Sequence, residues 1–299
     1  MLLLKIIPLA FDSLGVRSQA TYVQTKDLNI IIDPSAALAP RRFGLPPHRV
    51  EVERLYELSS NIEEFLRESD VAIITHYHYD HHDPGRIISL ENYNGKILIV
   101  KDPKNKINIS QKIRASKFLK LVNNYISKLV IADSKCFAFG KTKICFSKPV
   151  PHGVNDRLGY VIEVLVDDGE EKFLYTSDVE GPVLEEQVEF ILLHKPDILI
   201  VDGPLTYMLG YKFSMSDLQK SIKNLKEIIE ALKGSTIILD HHLLRDSEYK
   251  SRLHEIYGYA KALKVRVISA AEYLGKPIDV LEVRRRELYE KEFAPGKIF

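Results

Sequence analysis

Residues 75–83 of this chain read Thr-His-Tyr-His-Tyr-Asp-His-His-Asp and place His76, His78, Asp80 and His81 in the pattern His-x-His-x-Asp-His. The segment before it, Val71 to Ile74, is apolar and mostly β-branched, which predicts a short buried strand. A strand that ends in imidazoles and a carboxylate brings several donors to one point. Side chains alternate along an extended backbone, so His76 and His78 point the same way. The following turn can carry Asp80 and His81 to a second point. Imidazole with carboxylate suits zinc, manganese or iron. A lone His pair fits a core or surface role, but four such donors within six residues are hard to explain without metal.

The rest of the chain sets the frame. Its 299 residues are 45% hydrophobic and 28% charged, as in an ordinary soluble globular protein, and we read 1–299 as one domain. No apolar run approaches the ~20 residues of a membrane span. Met1 to Pro8 is too short for a signal peptide and reads as a first strand, so a cytoplasmic protein with no membrane partner is expected. The absence of Trp, the scarcity of Met and the abundance of Ile, Lys and Glu hint at a thermophile. Cys136 and Cys145 flank a hairpin turning near Gly140, where they could face each other. The expectation for a cytosolic protein is two buried apolar thiols.

Charge is unevenly spread. Residues 101–148 hold twelve Lys or Arg against two Asp, although the whole chain carries a net charge of only +1. Such a segment can serve phosphates or nucleic acid, or it can be a solvated face paired with the Glu-rich stretch 51–70.

Strand and helix patterns alternate without low-complexity linkers. Strands are expected at Leu2–Pro8, Ala20–Thr25, Leu28–Asp33, 71–75, Lys96–Val100, 129–147 in short pieces, Leu158–Val166, Lys172–Thr176, Asp197–Val201, Thr236–Leu239 and Val265–Ile268. Helices are expected at Val50–Arg67, from Ser110 to about Asn124, at Pro182–His194, after a Ser216-x-x-Gln219 capping box, and at Asp246–Leu263. Strands in both halves with helices between them predict two sheets with helices outside.

Three later residues sit at strand edges: His152 before the 158–166 strand, Asp178 after the next, and His241 after Thr236–Leu239. Singly each is weak, because a solitary His or Asp beside a strand is more often core, surface or cap. In this order, with Asp33 after an early strand and the His76–His81 motif, the chain resembles the metallo-β-lactamase fold superfamily, in an archaeal branch. The resemblance covers most of the chain. It implies an α/β (α+β) fold, a four-layer αββα sandwich of two mixed sheets with a dinuclear metal site at their common edge. It also implies that His76, His78 and His152 hold one metal and that Asp80, His81 and His241 hold the other. Asp178 would bridge them, and Asp33 would support the site by hydrogen bonding. The interval between Asp178 and His241 is too short for the large inserted domain of relatives that process messenger RNA ends.

Neighbours in a turning backbone point apart, so only one of His81/His82 and one of His241/His242 is expected to bind metal; motif alignment selects His81 and His241. His82 then falls beside the ligands, and His242 becomes, with Asp80, a catalytic candidate, as a proton donor to the leaving group. Asp83 and Asp240 read as supporting or cap residues. The ligand set lacks Cys, which favours hydrolysis by two divalent ions, zinc first and manganese or iron as alternatives. The leading expectation is a phosphodiesterase or nuclease-type hydrolase with a phosphate-bearing substrate, including nucleic acid. Arg41, Arg42, Arg157 and Arg245 are candidate substrate-binding residues, since arginine forks match phosphate oxygens, and Arg17 also lies near a motif loop. A hydrolase of small esters, thioesters or lactones is the alternative, and a non-catalytic metal-binding protein the third reading. The sequence leaves homo-oligomerisation open.

Overall fold

Two sheets lie face to face in the computed structural model, which describes residues 4–292. The first runs in the order β1 (Lys5–Phe11), β2 (Gln19–Gln24), β3 (Asn29–Ile32), β4 (Val71–Ile74), β5 (Ile97–Val100), β6 (Lys128–Ile131). Its first three strands are antiparallel, and β3 through β6 are parallel. The second sheet contains β7 (Cys136–Phe139), β8 (Thr142–Phe146), β11 (Val164–Asp167), β12 (Lys172–Tyr175), β13 (Ile198–Asp202), β14 (Thr236–Asp240) and β15 (Arg266–Ile268), adjacent in that order. A small ribbon pairs β9 (Val150–Pro151) with β10 (Tyr160–Val161).

Period-two alternation assigns the faces of the second sheet. Ile198 and Ile200 of β13 join the core shared with the first sheet, whereas Leu199 and Val201 turn to the outer helices. The same split separates Phe173 and Tyr175 from Leu174 on β12. Helices α1 (Arg49–Glu68) and α2 (Ile109–Val122) cover the first sheet. Helices α3 (Glu189–His194), α4 (Met215–Ala231) and α6 (His254–Ala262) cover the second, with α5 (Tyr249–Arg252) leading into α6. Two further helices, α7 (Ala270–Tyr273) and α8 (Arg285–Glu292), follow β15. The expected αββα layering of two mixed sheets is present.

This topology puts chemistry at one edge. Strands β3 and β4 are parallel, and β1 runs the same way across the antiparallel β2, so their C-terminal ends share an edge. Strands β12, β13 and β14 are likewise parallel. Loops beyond the carboxyl ends of parallel strands are where such sheets place ligands.

Local signals were displaced in several places. Ser214, not Ser216, caps α4, in a box with Asp217. Asn108 rather than Ser110 caps α2. The stretch 182–194 yields a single turn at Glu185–Gln187 before the short α3, and Leu253 divides the expected 246–263 helix. The 158–166 strand breaks because Ile162 donates instead to the Thr75 carbonyl (3.2 Å). The first strand starts at Lys5, and Leu2 lies outside the described residues. The expectation of two buried thiols is corrected: Cys136 and Cys145 are register partners across β7–β8 and form a disulfide. Cross-strand pairing brings their Cβ atoms close enough to bond.

Candidate metal centre

The motif loop leaves β4 at Thr75, whose amide donates to Asp33 Oδ1 (2.7 Å). The amides of His81 and His82 both donate to the His78 carbonyl (3.0 Å each). This turn brings Asp80 and His81 back over the sheet edge. The loop before β10 supplies His152, the segment after β12 supplies Asp178, and the end of β14 supplies His241.

Among the described residues, donor atoms gather in four overlapping groups. The two with four donors share Asp178: His76, His78, His152 and Asp178 form one, and Asp80, His81, His241 and Asp178 the other. Asp33, His76 and His81 form a smaller group, and Asp178, Asp202 and His242 another. Within each group the atoms lie within 4.8 Å of one another. Asp178 Oδ2 is 3.4 Å from His76 Nε2 and 3.2 Å from His152 Nε2. Its other oxygen, Oδ1, is 2.8 Å from His81 Nε2 and 3.3 Å from His241 Nε2. Each carboxylate oxygen thus faces one imidazole set.

The donors fit divalent ions on a simple test. His76, His81 and His152 keep buried Nε2 atoms that make no aligned hydrogen bond. Buried polar atoms are nearly always partnered, so three clustered exceptions mark lone pairs kept for a ligand. The opposite nitrogens of His76, His81 and His241 are fixed, whereas His152 Nδ1 makes no hydrogen bond. His81 Nδ1 is 2.8 Å from Asp33 Oδ2, and His241 Nδ1 is 2.7 Å from Asp12 Oδ2. His76 Nδ1 meets the Ser177 hydroxyl at 3.2 Å. Holding Nδ1 in this way turns Nε2 toward an ion and makes it a better donor.

Electrostatics separates His76 and His78 from His81, His152 and His241: against burial, Asp178, then Glu180 and Asp202, raise His152. Burial and the neighbouring His81 push His76 down to about 4, and burial takes His78 well below the usual range. Burial acts against His81 and His241 too, but Asp178 and Asp33 lift His81 well above its ordinary value. Asp178, with Asp12, carries His241 to about 10 despite Arg245. Burial opposes ionisation of Asp178, yet the surrounding imidazoles, His81 first, draw it well below the ordinary carboxylate range. Asp80 is lowered in the same way, against burial, mainly by His81.

Strain collects here as well. Asp33 (φ 49°), Ser177 (59°), Glu180 (53°) and His241 (60°) all adopt the left-handed backbone that non-glycine residues avoid. Such conformations persist where the surroundings over-determine them, commonly at functional sites.

The other expected residues are more scattered. His82 packs its ring against Tyr79 and Phe118, and its Nδ1 is 2.9 Å from the His78 carbonyl. It steadies the loop backbone and meets none of the ligand nitrogens. His242 lies outside the two four-donor groups but forms a smaller one with Asp178 and Asp202. Its Nδ1 is 2.8 Å from Asp202 Oδ2, and its Nε2 is 3.9 Å from Glu180 Oε1. Asp83 accepts three amides of the next turn, from Arg86, Ile87 and Ile88. Asp240 likewise caps, accepting from Ser13, His241 and Ala270.

Of the arginines, Arg157 is exposed and lines a pocket with His152. Arg41 is exposed on the loop before α1. Arg42 lies over the Tyr207 ring (4.7 Å) and donates to the Arg245 carbonyl (3.0 Å). Arg245 is buried: it holds Asp12 at 2.8 Å and passes 3.2 Å from His241 Nε2, so it braces the Asp12–His241 pair instead of facing solvent. Arg17 pairs with Glu282.

Sequence reasoning missed Asp12, Gln19, Glu180 and Asp202. Gln19 Nε2 donates to Asp178 Oδ1 (3.0 Å), and Asp202 anchors His242. Asp12 follows β1 and Asp202 ends β13, the same strand-then-Asp signal that marks Asp33.

Comparison with known proteins bears on the fold and the family. No protein-family model matches the chain. Solved structures share its fold: yeast PDE1 (TM-score 0.56, 12% identity, 90% of this chain and 98% of that one). Others are the metallo-beta-lactamase fold protein YhfI from Bacillus subtilis (0.51, 14%, 89% and 96%) and an isothiocyanate hydrolase from Delia radicum gut bacteria (0.51, 18%, 85% and 94%). Sequence relatives are much nearer. UPF0282 proteins of Sulfurisphaera tokodaii and Metallosphaera sedula are 51% and 50% identical, each over 99% of this chain and 96% of the relative. That of Korarchaeum cryptofilum is 50% identical over 96% of this chain and 95% of its own length. Over nearly its whole length, the chain belongs to the UPF0282 family of archaeal proteins, built on the metallo-β-lactamase fold.

Proposed function

We propose that this chain is a hydrolase of phosphodiesters that works with two divalent metal ions, zinc first and manganese or iron as alternatives. The observation that carries the reading is Asp178, whose two oxygens face separate imidazole groups. His76, His78 and His152 would hold one ion, Asp80, His81 and His241 the other, and Asp178 both. When bound, such a pair of ions lowers the pKa of a shared water and stabilises the leaving oxygen.

The chain's own groups supply the remaining parts. Asp80 Oδ2 stands 3.9 Å from His241 Nε2 and 3.7 Å from Arg245 Nη2, placed to accept a proton beside the attack. Glu180 lies between His152 Nδ1 (3.7 Å) and His242 Nε2 (3.9 Å). Burial raises its pKa and lowers that of His242, which favours the Glu180 carboxyl over His242 as the proton donor to a leaving alcohol.

Cations bordering the site support phosphate as the electrophile. Tyr79, between two ligands in the motif, carries the guanidinium of Arg86 on its ring at 4.0 Å and that of Arg114 at 4.6 Å. Helix α2 starts beside the motif loop, where Gln111 Oε1 accepts from the Tyr77 amide (3.1 Å). Its Lys112, Lys117 and Lys120 border an open surface groove. Other members of the basic segment are engaged: Lys101 with Asp133 and Lys148 with Glu189. The second reading, an ester, thioester or lactone of a small metabolite, would use the same metals, and the pocket beside His152 has an apolar wall that suits either substrate class.

Metal-loaded protein should be assayed on bis(p-nitrophenyl) phosphate, a thioester and a lactone. The proposal expects phosphodiester cleavage; turnover of the lactone or thioester alone would replace it with the second reading. A nucleic-acid substrate further requires binding that falls steeply with salt and weakens when Lys112, Lys117 and Lys120 are changed together to Ala.

A further inference from the structure

A pocket of about 390 Å³ opens next to the metal centre, with His152 and Glu180 in its lining. That volume suits one small ligand group. Two loops wall it: residues 154–158, following His152, and residues 205–212, following β13. Leu158 and Met208 give it apolar sides, Tyr207 and Tyr211 aromatic ones, and Arg157 and Lys212 positive charge.

The walls are preorganised. In the second loop, the Met208 carbonyl accepts the amides of Tyr211, Lys212 and Phe213 (3.0, 3.0 and 3.2 Å), and the buried Phe213 pins the turn. In the first, Gln111 donates to the Leu158 carbonyl (2.7 Å) and Asn108 to that of Arg157 (3.2 Å). The Tyr207 ring is fixed by the Arg42 guanidinium against it. Against this rigid backbone, Tyr211 is 80% exposed and Leu158 41% exposed. Large apolar groups held open on firm loops beside a reactive centre are what a binding subsite requires, because little ordering entropy remains to be lost.

We propose that this pocket is a subsite for an aromatic ring carried by the substrate, lodged against Tyr211, Leu158 and Met208, with Arg157 and Lys212 facing the substrate's negative charge. The inference rests on the phosphodiesterase reading and narrows it to phosphodiesters with an aryl or heteroaryl substituent. A ring stacks on a tyrosine face whatever its ring atoms, so shape and charge are selected together.

The test uses metal-loaded full-length protein and two substrates with one leaving group, phenyl p-nitrophenyl phosphate and methyl p-nitrophenyl phosphate. The phenyl ester should have a KM about tenfold lower. Tyr211→Ala should bring the two KM values together, and Tyr211→Phe should keep them apart. Because Tyr211 is on the surface, its removal does not threaten folding. Calorimetric binding of phenyl phosphate against methyl phosphate provides a readout free of turnover, with the same ordering and the same loss in Tyr211→Ala. If both esters are cleaved with equal KM and both phosphates bind equally, the subsite is overturned while the hydrolase reading stands. If neither ester is cleaved but phenyl phosphate binds preferentially through Tyr211, the subsite stands and the phosphodiesterase reading falls.

Discussion

Asp178 and Glu163 are both fully buried carboxyl groups, and burial alone disfavours the charge on each. They end on opposite sides of the ordinary range. Asp178 is drawn well below it by the imidazoles of His81, His241, His76 and His152. Glu163 is pushed well above it by burial, reinforced by Glu189, and both its oxygens lack a hydrogen-bond partner. Glu163 lines a separate cavity of about 220 Å³ with Lys148, Glu189 and Phe190. Burial therefore does not identify the site; what faces the carboxylate does. At Asp178, unlike Glu163, strand ends from both sheets bring positive and lone-pair-bearing groups to the carboxyl.

The largest effect should come from removing that convergence. Asp178→Ala should release metal from both positions and lower turnover of bis(p-nitrophenyl) phosphate by at least ~10³-fold, comparable to losing a major transition-state group. Elemental analysis beside the assay would show it; loss of one ion only would mean that Asp178 is not shared.

Next come the groups behind the ligands. Asp33→Asn and Asp12→Asn remove the carboxylates that hold His81 and His241, and each should weaken one metal by about 10- to 100-fold. Ser177→Ala, which strips only a hydroxyl from His76, should cost less. Competition with a coloured chelator measures all three, and a larger loss from Ser177→Ala would reverse the ranking.

Glu163→Gln should act through stability, with a sign set by linkage. A raised folded pKa means that the native state binds the proton more tightly than the unfolded chain. The stabilisation is complete below the ordinary value of 4.5 and is lost as pH rises through the raised pKa. At neutral pH the glutamine variant should gain on the order of 1–3 kcal/mol, the scale of an unsatisfied buried group. Near pH ~4 the two proteins should melt together. A variant that is less stable at neutral pH would show that Glu163 has a charged partner.

The motif loop was legible because its donors are contiguous and follow an unmistakable buried strand. His152, Asp178 and His241 were legible only as a series, since each depends on a different strand ending at the same edge. Asp12 was equally visible after β1 but was passed over, because its partner lies 229 residues away and nothing local predicts that pairing. Glu180 and Tyr211 carried no sequence signal; loop geometry alone puts them beside His152. Arg245 misled for the converse reason: a motif-loop arginine reads as exposed until Asp12 draws it inside. The cysteines misled because compartment was weighed above register, and their cross-strand pairing decides the outcome.

The central claim is a centre for two metals shared through Asp178. Its most direct test is the metal content of protein purified without chelator and then equilibrated with zinc or manganese. The account predicts about two divalent ions per chain. A chain that takes up none, or stops at one when all seven ligand candidates are intact, would contradict it.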